Sequence, residues 1–135
     1  MKKKVESVEL FFCDFDVNNR YKLNRAMKHF EKARFQVAED LRIHEFFQGK
    51  RVQFLITKLK SEVLSPVDEA SKSVQIETQI ETPDVGKLVF KQAIVQNGEV
   101  RLKADFDIAV FVEGSGVQYN FDERLIERVR EYNEG

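Results

Sequence analysis

The chain has one cysteine, Cys13, and two histidines, His29 and His44. A lone cysteine excludes an intramolecular disulfide and fits a reducing compartment, so the cytoplasm is the expected location. The histidines stand far apart with no metal-ligand spacing, which argues against a zinc site. No apolar run approaches the roughly 20 residues of a membrane span. No secretory leader is expected either, because Glu6 and Glu9 follow the basic Met1-Lys2-Lys3-Lys4 where an apolar stretch would be needed. An excess of one charge is also missing. Lys and Arg number 22 against 23 Asp and Glu, so charge gives no reason to expect nucleic acid or an anionic membrane as partner.

No repeat, low-complexity stretch or linker interrupts the chain, and its 135 residues suit one domain, 1–135, around one core. With 42% hydrophobic and 33% charged residues it reads as globular and soluble. Val5 to Phe15 is rich in aromatic and β-branched residues and predicts a strand. After a polar connection over 16–22, apolar residues fall at Leu23, Ala26, Met27, Phe30, Ala33, Val37 and Leu41. Those gaps of three and four predict one face of a long helix, capped by Asn19 or Asn24. Gly49 closes the helical region after a short extra turn through His44-Glu45-Phe46-Phe47.

From Arg51 the period becomes two. Val52, Phe54 and Ile56 alternate, then the phase slips to Leu59 and Val63, which predicts a bulge or sharp bend. Further strands are read at Val74–Ile80, Leu88–Gln96 and Val100–Val112, with turns at Ser65–Asp68 and Thr82–Gly86. Asn97-Gly98 is the strongest hairpin signal, since a tight primed turn needs positive φ at both central residues. From Ala109 to Val112 both faces are apolar, so that stretch is expected to be covered on both sides. Asp122 to Tyr132 reads as a short final helix. The order, a strand, a long helix, then about four antiparallel strands, predicts an α+β fold with the helix across a curved antiparallel sheet. This is the hot-dog arrangement. Its free sheet edge predicts a homo-oligomer.

The join between the first strand and the helix carries the candidate chemistry. Asp14 and Asp16 lie just before a helix start, where unpaired amides carry partial positive charge. Phe12-Cys13-Asp14-Phe15-Asp16 through Phe30-Glu31-Lys32-Ala33-Arg34 resembles the start of hot-dog acyl-CoA thioesterases of the 4-hydroxybenzoyl-CoA type. Asp14 and Asp16 fall on their D-x-D, and Phe30 to Arg34 on F-E-x-A-R. Asn19, Arg20 and Tyr21-Lys22-Leu23 depart from that pattern. The stretch Asp16 to Leu23 is closer to the first hot-dog repeat of acyl-ACP thioesterases, which does not supply their catalytic residues.

The resemblance implies a thioester hydrolase acting on acyl-CoA or acyl-ACP, without a cofactor, as a homodimer or homotetramer. Asp16 would attack the thioester or direct a water to it, and the backbone amide of Leu23 would hold the carbonyl oxygen. Glu31 is the second candidate, because other hot-dog thioesterases carry their carboxylate on the helix. Arg20 and Lys22 are candidates for a phosphate of CoA or phosphopantetheine. On the residues alone, Asp16 equally serves as a turn or helix cap. Asp14 reads as a solvated strand end, His29 as a surface histidine and Cys13 as a small core residue. The rival is a non-catalytic acyl-thioester-binding module of the same fold. A hot-dog dehydratase lacks a matching histidine motif, and a cystatin-like binding domain is the remote alternative.

Overall fold

The computed structural model describes all residues, 1–135. Seven main elements follow in chain order: β1 (Lys4–Glu9), α1 (Leu23–Asp40), β2 (Val52–Val63), β3 (Ser73–Asp84), β4 (Lys87–Gln96), β5 (Glu99–Val112) and α2 (Glu123–Glu134). The strands form one antiparallel sheet in the order β1-β3-β4-β5-β2. Neither helix is long and apolar enough to cross a membrane.

The expected hot-dog layout is present. Ala26, Phe30, Ala33 and Val37 fall on one face of α1 and are buried against the sheet. Their partners are the inward residues of alternating strands: Ile76 and Ile80 of β3, Phe90 and Ile94 of β4, Phe106 and Val110 of β5. Phe30 meets Phe106 edge to face, the geometry aromatic quadrupoles favour. Leu125 and Val129 of α2 complete the core. Leu23 departs from the expected face. It is the first helical residue and its side chain is exposed.

Two local expectations hold at residue level. The phase slip in β2 is a register shift against β5 between Ile56 and Lys58. At the β4–β5 turn, Asn97 and Gly98 have φ of 54° and 74°, as a primed turn requires. The first strand is shorter than expected. It stops at Glu9, and Phe12–Asp14 form a turn of 3₁₀ helix. The cause is Asp14, whose Oδ2 accepts the Phe11 amide at 2.8 Å and bends the chain out of the sheet. Cys13 is therefore exposed, not a core residue.

β2 forms one edge of the sheet. Eleven of its twelve residues are exposed, among them Phe54, Leu55, Ile56 and Leu59.

Candidate active site

The elbow between β1 and α1 is a small antiparallel hairpin. Phe15 pairs with Tyr21, and the Asp16 amide donates to the Arg20 carbonyl at 2.8 Å. The Lys22 amide donates to the Asp14 carbonyl at 2.9 Å, which draws the segment opening α1 back beside the D-x-D pair. Asn19 takes a positive φ of 59° at the tip, a conformation asparagine tolerates better than most residues.

Asp16 sits in this hairpin, half-buried at its backbone turn. Its Oδ1 accepts the amides of Asn18 at 2.8 Å and Arg20 at 3.0 Å, while Oδ2 has no protein partner. The Arg20 and Asn18 amides hold its carboxyl below the ordinary carboxylate range, helped by the Arg20 and Lys22 charges. At neutral pH Asp16 is therefore ionised, with one oxygen fixed and one free. The side chains of Arg20 and Lys22 make no ion pair. Phe12, Val17 and Leu23 are all exposed around it, so the elbow presents an apolar rim to its surroundings.

Helix α1 begins without a side-chain cap. The N-cap residue is Lys22, not Asn19 or Asn24, and its side chain accepts nothing. Its carbonyl takes the Arg25 and Ala26 amides, both at 3.1 Å, leaving the Leu23 and Asn24 amides without a protein acceptor. Two unpaired donors at a helix start form a place for a developing negative charge.

Asp14 is not a solvated strand end. It is 1% exposed and anchors the elbow. Besides the Phe11 amide, its Oδ1 accepts Arg25 Nε at 2.7 Å and lies 4.0 Å from His29 Nε2. Burial pushes its carboxyl up, but the Phe11 amide and the Arg25 guanidinium outweigh that, so the net shift is downward. His29 is likewise not a surface histidine. It is half-buried, with Nδ1 hydrogen-bonded to the Tyr21 hydroxyl. Burial lowers its pKa against the pull of Asp14, so the ring is neutral at pH 7. Burial raises the Tyr21 hydroxyl well above the usual phenol range, so Tyr21 keeps its proton. It therefore donates to Nδ1, and this hydrogen-bond pattern assigns the ring proton to Nε2, facing Asp14.

Sequence reasoning missed this Asp14–Arg25–His29–Tyr21 cluster. The available signal was the i, i+4 spacing of Arg25 and His29 on α1, while Tyr21 reaches them from the hairpin. His29 also lines a small cavity of about 260 Å³ beside β1 and Phe11.

Glu31 is not brought together with Asp16. It is exposed, about 12 Å along α1 from Leu23 at 1.5 Å per residue. It stands at the rim of a larger cavity between α1, the 3₁₀ turn at Ile43–Phe46 and the inner sheet face. No group of three histidine, cysteine or acidic side chains is arranged to hold a metal ion.

No family model and no curated protein sequence matches the chain. Solved structures do. A 1,4-dihydroxy-2-naphthoyl-CoA thioesterase from Synechocystis superposes with a TM-score of 0.81 at 7% identity, covering 98% of each chain. A DHNA-CoA thioesterase from Staphylococcus aureus gives 0.79 at 15% identity, covering 99% of this chain and 95% of that one. The chain has the hot-dog fold of these thioesterases. A predicted thioesterase from Bacillus stearothermophilus, at 0.80 and 17% identity, covers 96% of each chain and shares it. Within the hot-dog fold of this chain, the elbow and the bare start of α1 are the places where a carboxylate and free amides lie close in the chain. Likeness at these identities fixes the fold and leaves the reaction to be argued from the residues.

Proposed function

We propose that the protein hydrolyses an acyl thioester of CoA or of an acyl carrier protein at the elbow. Asp16 acts as general base or nucleophile and the Leu23 and Asn24 amides hold the oxyanion. In the water-mediated form, Asp16 takes a proton from water as the oxygen attacks the thioester carbonyl. The carbonyl oxygen becomes negative against the free amides, and the C–S bond then breaks. The thiolate leaves and recovers the proton from Asp16. A thiolate is a good leaving group, so no strong acid is needed at the sulfur. Arg20 and Lys22, both free of ion pairs, would meet a phosphate of the carrier arm.

The observation that carries this reading is the ionised Asp16, with a free Oδ2, in a hairpin that folds back to an uncapped helix start. Its apolar rim of Phe12, Val17 and Leu23 and the bare β2 edge fit a homo-oligomer. The lone cysteine suits a reducing cytoplasm.

A second reading, a non-catalytic acyl-thioester-binding module, is favoured by two facts. Asp16 lines neither the cavity beside β1 nor the one along α1, and both hydrogen bonds to Oδ1 are those of a simple turn cap. A panel of acyl-CoA and acyl-carrier substrates with a thiol-detecting reagent separates the two. Hydrolysis that disappears in Asp16→Ala supports the hydrolase. Undiminished turnover in Asp16→Ala moves the chemistry to Glu31 or elsewhere. Binding without turnover in the wild type supports the module.

A further inference from the structure

A cavity of about 560 Å³ lies along the C-terminal half of α1, away from the elbow. Its size is ordinary for a small-molecule site. Its walls are mostly apolar, Phe35, Phe47, Phe54 and Phe90 among them, and its polar lining is Arg34, His44, Glu31 and Glu39.

Arg34 is 8% exposed and has no carboxylate within ion-pair distance. Its only hydrogen bond runs from Nη1 to Gln92 Oε1 at 2.9 Å, and its guanidinium lies over the Phe106 ring at 4.0 Å. Gln92 cannot turn away, because its Nε2 donates to the Phe30 carbonyl at 2.9 Å and to Thr78 Oγ1 at 3.0 Å. The sheet thus holds the guanidinium from one side. A guanidinium carries five N–H donors. The fully sealed, unpaired side-chain atoms of this chain belong to Arg101 and Tyr132, so Arg34's spare nitrogens are not sealed, and Arg34 lines the cavity. A desolvated charge with unfilled donors is costly, and a planar carboxylate fills two of them at once. Glu31 and Glu39 stand at the rim, which disfavours a doubly charged phosphate.

We infer that this cavity binds an amphipathic monocarboxylate, its carboxylate forked onto Arg34 and its aliphatic or aromatic body among the phenylalanines. The inference needs no thioester and no turnover by Asp16, although Glu31, the second catalytic candidate, stands at the rim of the same cavity.

Calorimetry on the full chain with decanoate, decanol and decylammonium tests it. Decanoate is expected to saturate at one molecule per chain, at least about tenfold tighter than decanol, as a charge-assisted hydrogen bond would give. Decylammonium is expected to bind more weakly still. Arg34→Gln, which keeps a partner for Gln92, should bring decanoate to the level of decanol. Ala38→Phe, from the half-buried cavity wall, should block all binding while leaving Arg34 in place. Should Arg34→Gln fail to fold, the head-group comparison and Ala38→Phe carry the test. Decanoate binding no better than decanol, no saturable binding, or binding that survives Ala38→Phe overturns the inference.

Discussion

Arg25 Nε donates to Asp14 Oδ1 at 2.7 Å, tying the first turn of α1 to the 3₁₀ turn that ends the first strand. The same carboxylate accepts the Phe11 amide, so one side chain sets both the exit from β1 and the entry to α1. Asp14→Ala leaves the partly buried Phe11 amide without its acceptor and frees Arg25. We expect a loss of about 1–3 kcal/mol in urea unfolding, the usual cost of orphaning a buried donor. Asp14→Asn keeps the size but not the charge and should fall between wild type and alanine. If Asp14→Ala unfolds like wild type, Asp14 does not anchor the elbow.

Acid should weaken this anchor in two steps. The folded-state pKa of His29 lies below its ordinary value of 6.5, so protonation favours the unfolded chain. Its contribution is complete above pH 6.5 and is lost as pH falls through the folded value. Asp14 is also depressed, from an ordinary 3.8, so its contribution holds above 3.8 and is lost below. Stability measured from about pH 8 to pH 3 should therefore decline first below the ordinary histidine value and again at the carboxylate range. His29→Gln should remove the first decline and keep the second. A first decline unchanged in His29→Gln would assign it to another group.

The bulge in β2 and the primed turn at Asn97-Gly98 were legible because each is written in adjacent residues, as a phase slip and as a dipeptide with one backbone requirement. The buried face of α1 was legible from its spacing. The end of β1 was not. Leu10-Phe11-Phe12-Cys13 looks like continued strand, yet Phe12 is 92% exposed, because the Asp14 side chain competes for the Phe11 amide. Burial of Asp14 depends on Arg25, eleven residues on, and burial of His29 on Tyr21, eight residues back. Those pairings exist only once the hairpin and helix are assembled, so charge and polarity alone read both residues as surface. The start of α1 at Leu23 was legible from the spacing, but the bare N-cap at Lys22 and the two hydrogen bonds on Asp16 Oδ1 became visible only in the structure.

The hairpin turn gives a clean stability test. Gly98 has φ of 74° with nothing near its absent side chain, so a substitution there meets backbone strain alone. Gly98→Val should cost about 1–2 kcal/mol, the penalty of placing an L-residue in the left-handed region. A neutral result by thermal or urea unfolding would mean the turn relaxes to another type.

The open edge at β2 predicts self-association. Twelve residues without a strand partner on one side, with Leu55 and Leu59 exposed, form a template for a second copy. Sedimentation should show a dimer or tetramer. Leu55→Lys with Leu59→Lys should shift it toward monomer by repulsion between like charges, with little change in secondary structure by circular dichroism. A wild type that sediments as monomer at working concentration would leave the edge without this role.

The pH dependence of hydrolysis separates the two acid–base groups at the elbow. The Asn18 and Arg20 amides keep Asp16 below the ordinary carboxylate value of 3.8, so it stays ionised throughout the neutral range. A carboxylate that works ionised loses activity only when protonated, so an acid limb set by Asp16 lies below that value. From about pH 5 to pH 8, kcat/KM should then be flat, and Asp16→Asn should lower it by about 10²-fold or more, as removal of a general base does. Burial pushes His29 below its ordinary 6.5, and a working neutral imidazole would place a limb at its own lowered value. A limb below the ordinary histidine value that disappears in His29→Gln would therefore transfer the base from Asp16 to the Tyr21–His29 pair.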